Sequence, residues 1–188
     1  MPAGGGTPPA PATAAERYPT RASKTHEGAR APVRFPTRKH IRLAGFAYGP
    51  GYVYFVTICA IRGARPLTGA QLAQAIVGHL RDLDARGRAY VHWYCLMPDH
   101  LHVVLSCVAR GPNLVRAVQE LKTKTTHAAR RMGLRVPIWQ RGFYDHIART
   151  EEDLAAACAY IFDNPVRAGL VAEASAWAYS GCVSPLRL

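Results

Sequence analysis

The sequence predicts an α+β fold, an antiparallel sheet with helices on one face, related to the ferredoxin-like class. Three observations predict it. Short β-branched and aromatic runs alternate with longer runs of helical period in the order β-α-β-β-α-β-α. The second and third strands are joined only by Met97-Pro98-Asp99, a tight connection that makes them antiparallel. The chain has 188 residues, 49% of them hydrophobic, and no internal repeats, so one domain with a real core is expected.

Residues 1–40 are Ala, Gly, Pro and Thr with scattered Arg, and read as a disordered basic extension before a domain at 41–180. Tyr52–Ala60 (YVYFVTICA) is a buried strand by its β-branched and aromatic content. Gln71–Arg86 repeats Leu72, Ile76, Leu80 and Leu83 at helical spacing, and Gly87 can cap it. Tyr90–Leu96 is the second strand and His100–Cys107 the third. From Asn113 to Met132, Leu114, Val118, Leu121, Ala128 and Met132 mark a buried stripe, while Arg116, Lys124, His127 and Arg131 share another face. Pro137 interrupts the chain, and Phe143–Ala148 reads as a short fourth strand. Thr150-Glu-Glu-Asp153 has the form of a capping box opening a third helix, which Pro165 is expected to end near Asn164. Residues 181–188 are left as a short tail.

Charge points to a polyanion. The net formal charge is +12, and residues 110–141, inside the folded region, carry eight Lys/Arg against one acidic residue. A merely solvated basic face is the alternative reading. No apolar run reaches the roughly 18 residues a membrane span needs, and the N-terminus lacks the pattern of a secretory signal. Five cysteines, odd in number and without a CxxC pair, suggest thiols kept reduced in the cytoplasm.

One strand carries an unusual pair. Side chains alternate along a strand, so in MPDHLHVVL the rings of His100 and His102 project side by side from one face, opposite Leu101, Val103 and Leu105. Such a pair can share a divalent cation but needs a further ligand, and packing is the competing explanation. In YIFDNPVRAGL, Tyr160 and Asn164 lie four apart on one helix face, where an amide oxygen is a reasonable ligand and a tyrosine hydroxyl a possible nucleophile. The same residues would equally plug a core and stop a helix. In GFYDHI, Tyr144 and His146 share a strand face and form a rival Tyr-His constellation.

MPDHLHVVL, WQRGFYDHIART and YIFDNPVRAGLV, in this order and at these separations, closely resemble the REP-associated tyrosine transposases, domesticated relatives of single-tyrosine insertion-sequence transposases in the HUH endonuclease group. RKHIRLAGFAYGPGYVYFVTIC resembles the entry to that fold, so the likeness covers roughly Thr37 to Tyr179. The resemblance implies that His100 and His102 hold Mg²⁺ or Mn²⁺ and that Tyr160 is the nucleophile. It further implies that Asn164 occupies the position of the remaining amide ligand, a glutamine in mobile relatives. It implies a metal-dependent endonuclease that cleaves and rejoins single-stranded DNA at palindromic hairpins through a 5′-phosphotyrosine, as a monomer or a homodimer, in the cytoplasm at the nucleoid. Trp139, Gln140 and Arg141 would contact unstacked bases, and Arg116, Lys122, Lys124, Arg130 and Arg131 the phosphates of a hairpin stem. A non-catalytic hairpin or single-strand binder derived from such an enzyme is the alternative.

Overall fold

The computed structural model describes residues 46–62 and 67–185; the basic extension expected at 1–40 and the start of the likeness at Thr37 lie outside the described residues. The chain forms β1 (Val53–Cys59), α1 (Ala70–Ala85), β2 (Tyr90–Leu96), β3 (His100–Ser106), α2 (Leu114–Arg131), β4 (Tyr144–Ala148) and α3 (Glu151–Arg167) in the expected order. A 3-10 turn (Ala174–Ala176) and a two-residue strand β5 (Ser180–Gly181) follow. The sheet order is β4-β1-β3-β2-β5, and each neighbouring pair is antiparallel. β1 and β2 therefore run parallel with β3 between them, and β3 and β4 with β1 between them, the split crossovers of a ferredoxin-like sheet.

Both faces of this sheet are covered, which corrects the expectation of helices on one face. Tyr54, Val56 and Ile58 of β1 and Leu101, Val103 and Leu105 of β3 form one core with Leu72, Ile76 and Leu80 of α1 and Leu114, Val118 and Leu121 of α2. The alternate positions, Phe55, Trp93 and Val104, are nearly as apolar and also buried. A sheet with two apolar faces needs a second cover, and α3 supplies it. Trp93 meets Phe162 at 6.0 Å between ring centroids, and Phe55 meets Tyr160 at 6.3 Å. Leu154, Ala157, Ile161 and Pro165 are the buried side of α3. Fully burying a side chain such as Ile161 contributes roughly 1.5–3 kcal/mol.

A bulge sets the faces of β2. Val91 pairs with Leu105 and Trp93 with Val104, so His92 has no opposite number. The extra residue shifts the phase of the strand. Tyr94 and Leu96 join the α1/α2 core, while Trp93 and Cys95 turn to the α3 side. His92 is buried, with Nε2 2.9 Å from Ser106 Oγ and Nδ1 3.2 Å from the Ser184 carbonyl.

The helix ends follow local chemistry. Asn113 caps α2 by accepting from Arg116 N–H, and Thr150 caps α3 by accepting from Asp153 N–H. Asp153 reaches back one residue further than expected, to Arg149 N–H at 3.2 Å. Each helix stops at a glycine with positive φ, Gly87, Gly133 or Gly169. In each case paired backbone bonds, such as Gly169 N–H to Val166 and Leu170 N–H to Pro165, complete a Schellman motif. Pro165 therefore does not end α3 near Asn164; it sits buried inside the last turn, and the helix runs on to Arg167. Met132, expected on the buried stripe of α2, is its exposed C-cap.

Residues 180–184 are tied to the sheet and to α1. The boundary expected there cuts β5, which pairs Ser180 with Cys95 and Gly181 with Tyr94. Ser184 donates its N–H to Val91 and its hydroxyl to Asp84 Oδ1, whose other oxygen accepts from Val91 N–H. Two-residue strands leave no periodicity to read, which is why the sequence does not show this one.

Candidate active site

The strand registers lay the site out as rows across the α3-covered face. Tyr144, Thr57, His102 and Cys95 are successive partners on β4, β1, β3 and β2; His146, Phe55, Val104 and Trp93 form the next row. Directly paired residues project from the same side of a sheet, so these side chains share one surface. His100, opposite Cys59, stands at its end beside the tight turn.

The two histidines meet tip to tip, their Nε2 atoms 3.0 Å apart. His100 Nδ1 donates to Asp99 Oδ1 at 2.7 Å, since a carboxylate can only accept, so a neutral His100 presents a bare Nε2. His102 Nδ1 lies 2.8 Å from Thr57 Oγ1, and its ring stacks on Phe55 at 5.3 Å. A hydroxyl both donates and accepts. Thr57 can therefore donate while His102 Nε2–H bonds to His100, or accept while both Nε2 lone pairs are freed for a cation. Burial, then the neighbouring charges of His100 and Arg167, push the His102 ring down to about 3. It is neutral at ordinary pH, as a metal-ligating imidazole must be.

α3 brings Tyr160 onto this pair, the ring centroids of Tyr160 and His102 5.8 Å apart at 73°. Asn164 follows one turn later, helical and not distorted by Pro165. Its Nδ2 is buried without a hydrogen-bond partner among the described residues. An amide turned over puts an oxygen in that place. Two bare-capable imidazole nitrogens at adjacent-ligand spacing and an unsatisfied buried amide fit a hard divalent cation. No group of three or more His, Cys, Asp and Glu suited to a metal occurs among the described residues, so an amide would have to complete the set.

One residue of this surface is not singled out by the sequence motifs. Arg167, the last residue of α3, holds its guanidinium carbon 4.5 Å from the centre of the Tyr160 ring. Its spacing of seven from Tyr160 is the available signal, since 160, 164 and 167 share a helix face.

The other candidates separate. Tyr144 and His146 are exposed on the same sheet face, but Tyr144 starts two strands from His102, about 10 Å by strand spacing. Trp139 does not stack on bases. It is 4% exposed within the α1/α2 core and donates Nε1–H to Thr125 Oγ1 at 2.8 Å. Gln140 commits its amide to the Ala60 carbonyl, and Lys122 its ammonium to the carbonyls of Gln140 and Gly142 at 2.6 and 2.9 Å, so both shape the loop before β4. Arg116, Arg130, Arg131 and Arg141 are exposed and Lys124 half-buried. The basic residues of α2 thus lie across the sheet from His102 and Tyr160, and Arg141 lines a cavity with Val118, Gln119, Lys122 and Thr123 of α2.

A histidine pair under a helix-borne tyrosine on a ferredoxin-like sheet defines a class of site, and the chain was compared as a whole with known proteins. No protein-family model matches the chain. The chain is 31% identical over 109 residues to the REP-associated tyrosine transposase of Escherichia coli K12, covering 58% of this chain and 61% of the relative. It is 32% identical over 96 residues to a Haemophilus influenzae protein assigned by name to the same group, covering 46% of this chain and 54% of that one. The matches thus span less than two thirds of either relative. A solved structure of a REP-associated tyrosine transposase bound to a REP hairpin shares the fold, with a TM-score of 0.64 at 24% identity over 76% of this chain and 82% of that one. Over the matched part of its length, the chain is thus similar in sequence to REP-associated tyrosine transposases, and it shares the fold of one of them.

Among the described residues no helix is long and apolar enough to cross a membrane.

Proposed function

We propose that this chain is a metal-dependent DNA strand transferase of the single-tyrosine HUH type, acting on single-stranded DNA at hairpin-forming palindromic repeats. The observation that carries the reading is the placement of Tyr160 against the facing Nε2 atoms of His100 and His102. The relatives named as transposases support it, as does the hairpin bound by the structural neighbour.

His100, His102 and Asn164 would hold Mg²⁺ or Mn²⁺, which when bound neutralises charge on a phosphate and polarises its leaving oxygen. Asp99 and Thr57 orient the two imidazoles by holding their Nδ1 atoms. The Tyr160 hydroxyl attacks phosphorus, giving a 5′-phosphotyrosine and a free 3′-OH. That linkage keeps the phosphodiester's energy, so another 3′-OH can displace Tyr160 and rejoin strands without ATP. Arg116, Lys124, Arg130, Arg131 and Arg141 would contact phosphates of the stem and its flank.

The test is covalent capture. A labelled hairpin-bearing single strand is incubated with protein and Mn²⁺ and run on a denaturing gel. Wild type and Tyr144→Phe are expected to form an adduct, and Tyr160→Phe none. The reverse pattern would overturn the assignment, and hairpin binding with no adduct in wild type would favour a non-catalytic binder.

A further inference from the structure

Tyr160 has a cation on its face. The Arg167 guanidinium lies 4.5 Å over the ring, on the helix face that also carries Asn164. A guanidinium carries its N–H donors in a planar fork suited to a phosphodiester, and here that fork is held against the Tyr160 ring. Arg167 makes no ion pair with any described carboxylate, including Asp163 four residues before it. It is exposed, so a strand can reach it.

We propose that Arg167 is a phosphate-binding catalytic residue, holding a non-bridging oxygen of the scissile phosphodiester beside the Tyr160 hydroxyl. This rests on the strand-transfer reading above. In the step it serves, the Tyr160 oxygen forms a bond to phosphorus and the bond from phosphorus to the 3′ oxygen breaks. The 3′ oxygen keeps the electron pair and takes up a proton, while the phenol gives one up; no other reactant is consumed. Negative charge on the non-bridging oxygens grows as the fifth bond forms. The Arg167 guanidinium meets that charge, and its contact with the Tyr160 ring sets it near the nucleophile before the strand arrives.

Two measurements on the full chain test this. In single-turnover adduct formation at saturating hairpin strand with Mn²⁺, Arg167→Ala is expected to slow the reaction by about 10²–10³-fold. Arg167→Lys, which keeps the charge and loses the fork, should slow it by about tenfold. An Arg167→Ala rate within twofold of wild type overturns the proposal. The second measurement follows the Arg167 Nε–Hε resonance, assigned by its loss in Arg167→Lys, during titration with thymidylyl-thymidine, which carries one phosphodiester. A saturable shift is expected whether or not the protein cleaves DNA, and no shift overturns the proposal. A shift in a wild-type protein that forms no adduct supports the arginine site and removes the strand-transfer reading.

Discussion

His102 carries the largest electrostatic imprint of the site. Burial first, then His100 and Arg167, hold its folded pKa at about 3 against an ordinary 6.5. Between those values the unfolded chain binds more protons than the folded one, so stability is complete above pH 6.5 and falls as the pH drops. Without divalent cation, the unfolding free energy in urea should fall by up to about 2 kcal/mol from pH 7 to pH 5, and His102→Gln should flatten that slope. His92, also pushed down by burial, adds a change of the same sign. Trp139 makes a contrasting prediction. Trp139→Ala should cost about 3–5 kcal/mol in urea unfolding, yet leave hairpin affinity of the folded protein within twofold. A drop in affinity at unchanged stability would restore it as a base-stacking residue. The sequence makes Trp139 look like a DNA contact because its neighbours Gln140 and Arg141 are polar and its partner Thr125 sits on another element. The histidine pair is legible because strand alternation is geometric; Thr57 and Asp99, which steady it, need the register and the turn.

At the scale of elements, the end of α3 decides whether Asn164 and Arg167 are held. Gly169, at φ 68°, closes the Schellman motif, and a Cβ there would meet nothing within 4 Å. Gly169→Ala therefore costs only the left-handed strain, about 1 kcal/mol, and frays the last turn. The expected result is a slightly lower urea midpoint with a larger fractional drop in adduct rate; an unchanged rate would show that the turn holds without its cap. Pro165 suggests an earlier stop because proline lacks the N–H of the ladder, but a proline within the final turn forfeits little when the glycine cap recovers the carbonyls beyond it. The order of elements along the chain and the helix positions are readable from period and punctuation. The faces of β2 are not, since strict alternation from Val91 places Trp93 and Cys95 in the wrong layer.

Across the molecule, charge and chemistry occupy different sides of one sheet. The basic helix α2 packs with Tyr54 and Val56, while Tyr160 stands over Phe55 and His102. A strand that uses both must pass around an edge of the sheet, and the β4 edge carries the exposed Tyr144 and His146. Replacing Arg130 and Arg131 with Ala should lower the salt dependence of hairpin-strand binding by about 0.7 in slope for each phosphate no longer neutralised, while Tyr160→Phe leaves it unchanged. A slope unaltered by the double substitution would place the DNA on the α3 side alone. The sequence shows the basic block and the site separately, but their separation across the sheet follows from topology, which spacing along the chain does not encode.

The bulge at His92 gives β2 slack. The strand holds one residue more than its partner requires between Val91 and Trp93. Straightening it can absorb a one-residue deletion between Val91 and Tyr94 while Cys95 stays beside His102 and the hairpin to His100 keeps its length. Length variation arriving from the far end of the sheet would thus be damped before it reached the turn that carries His100.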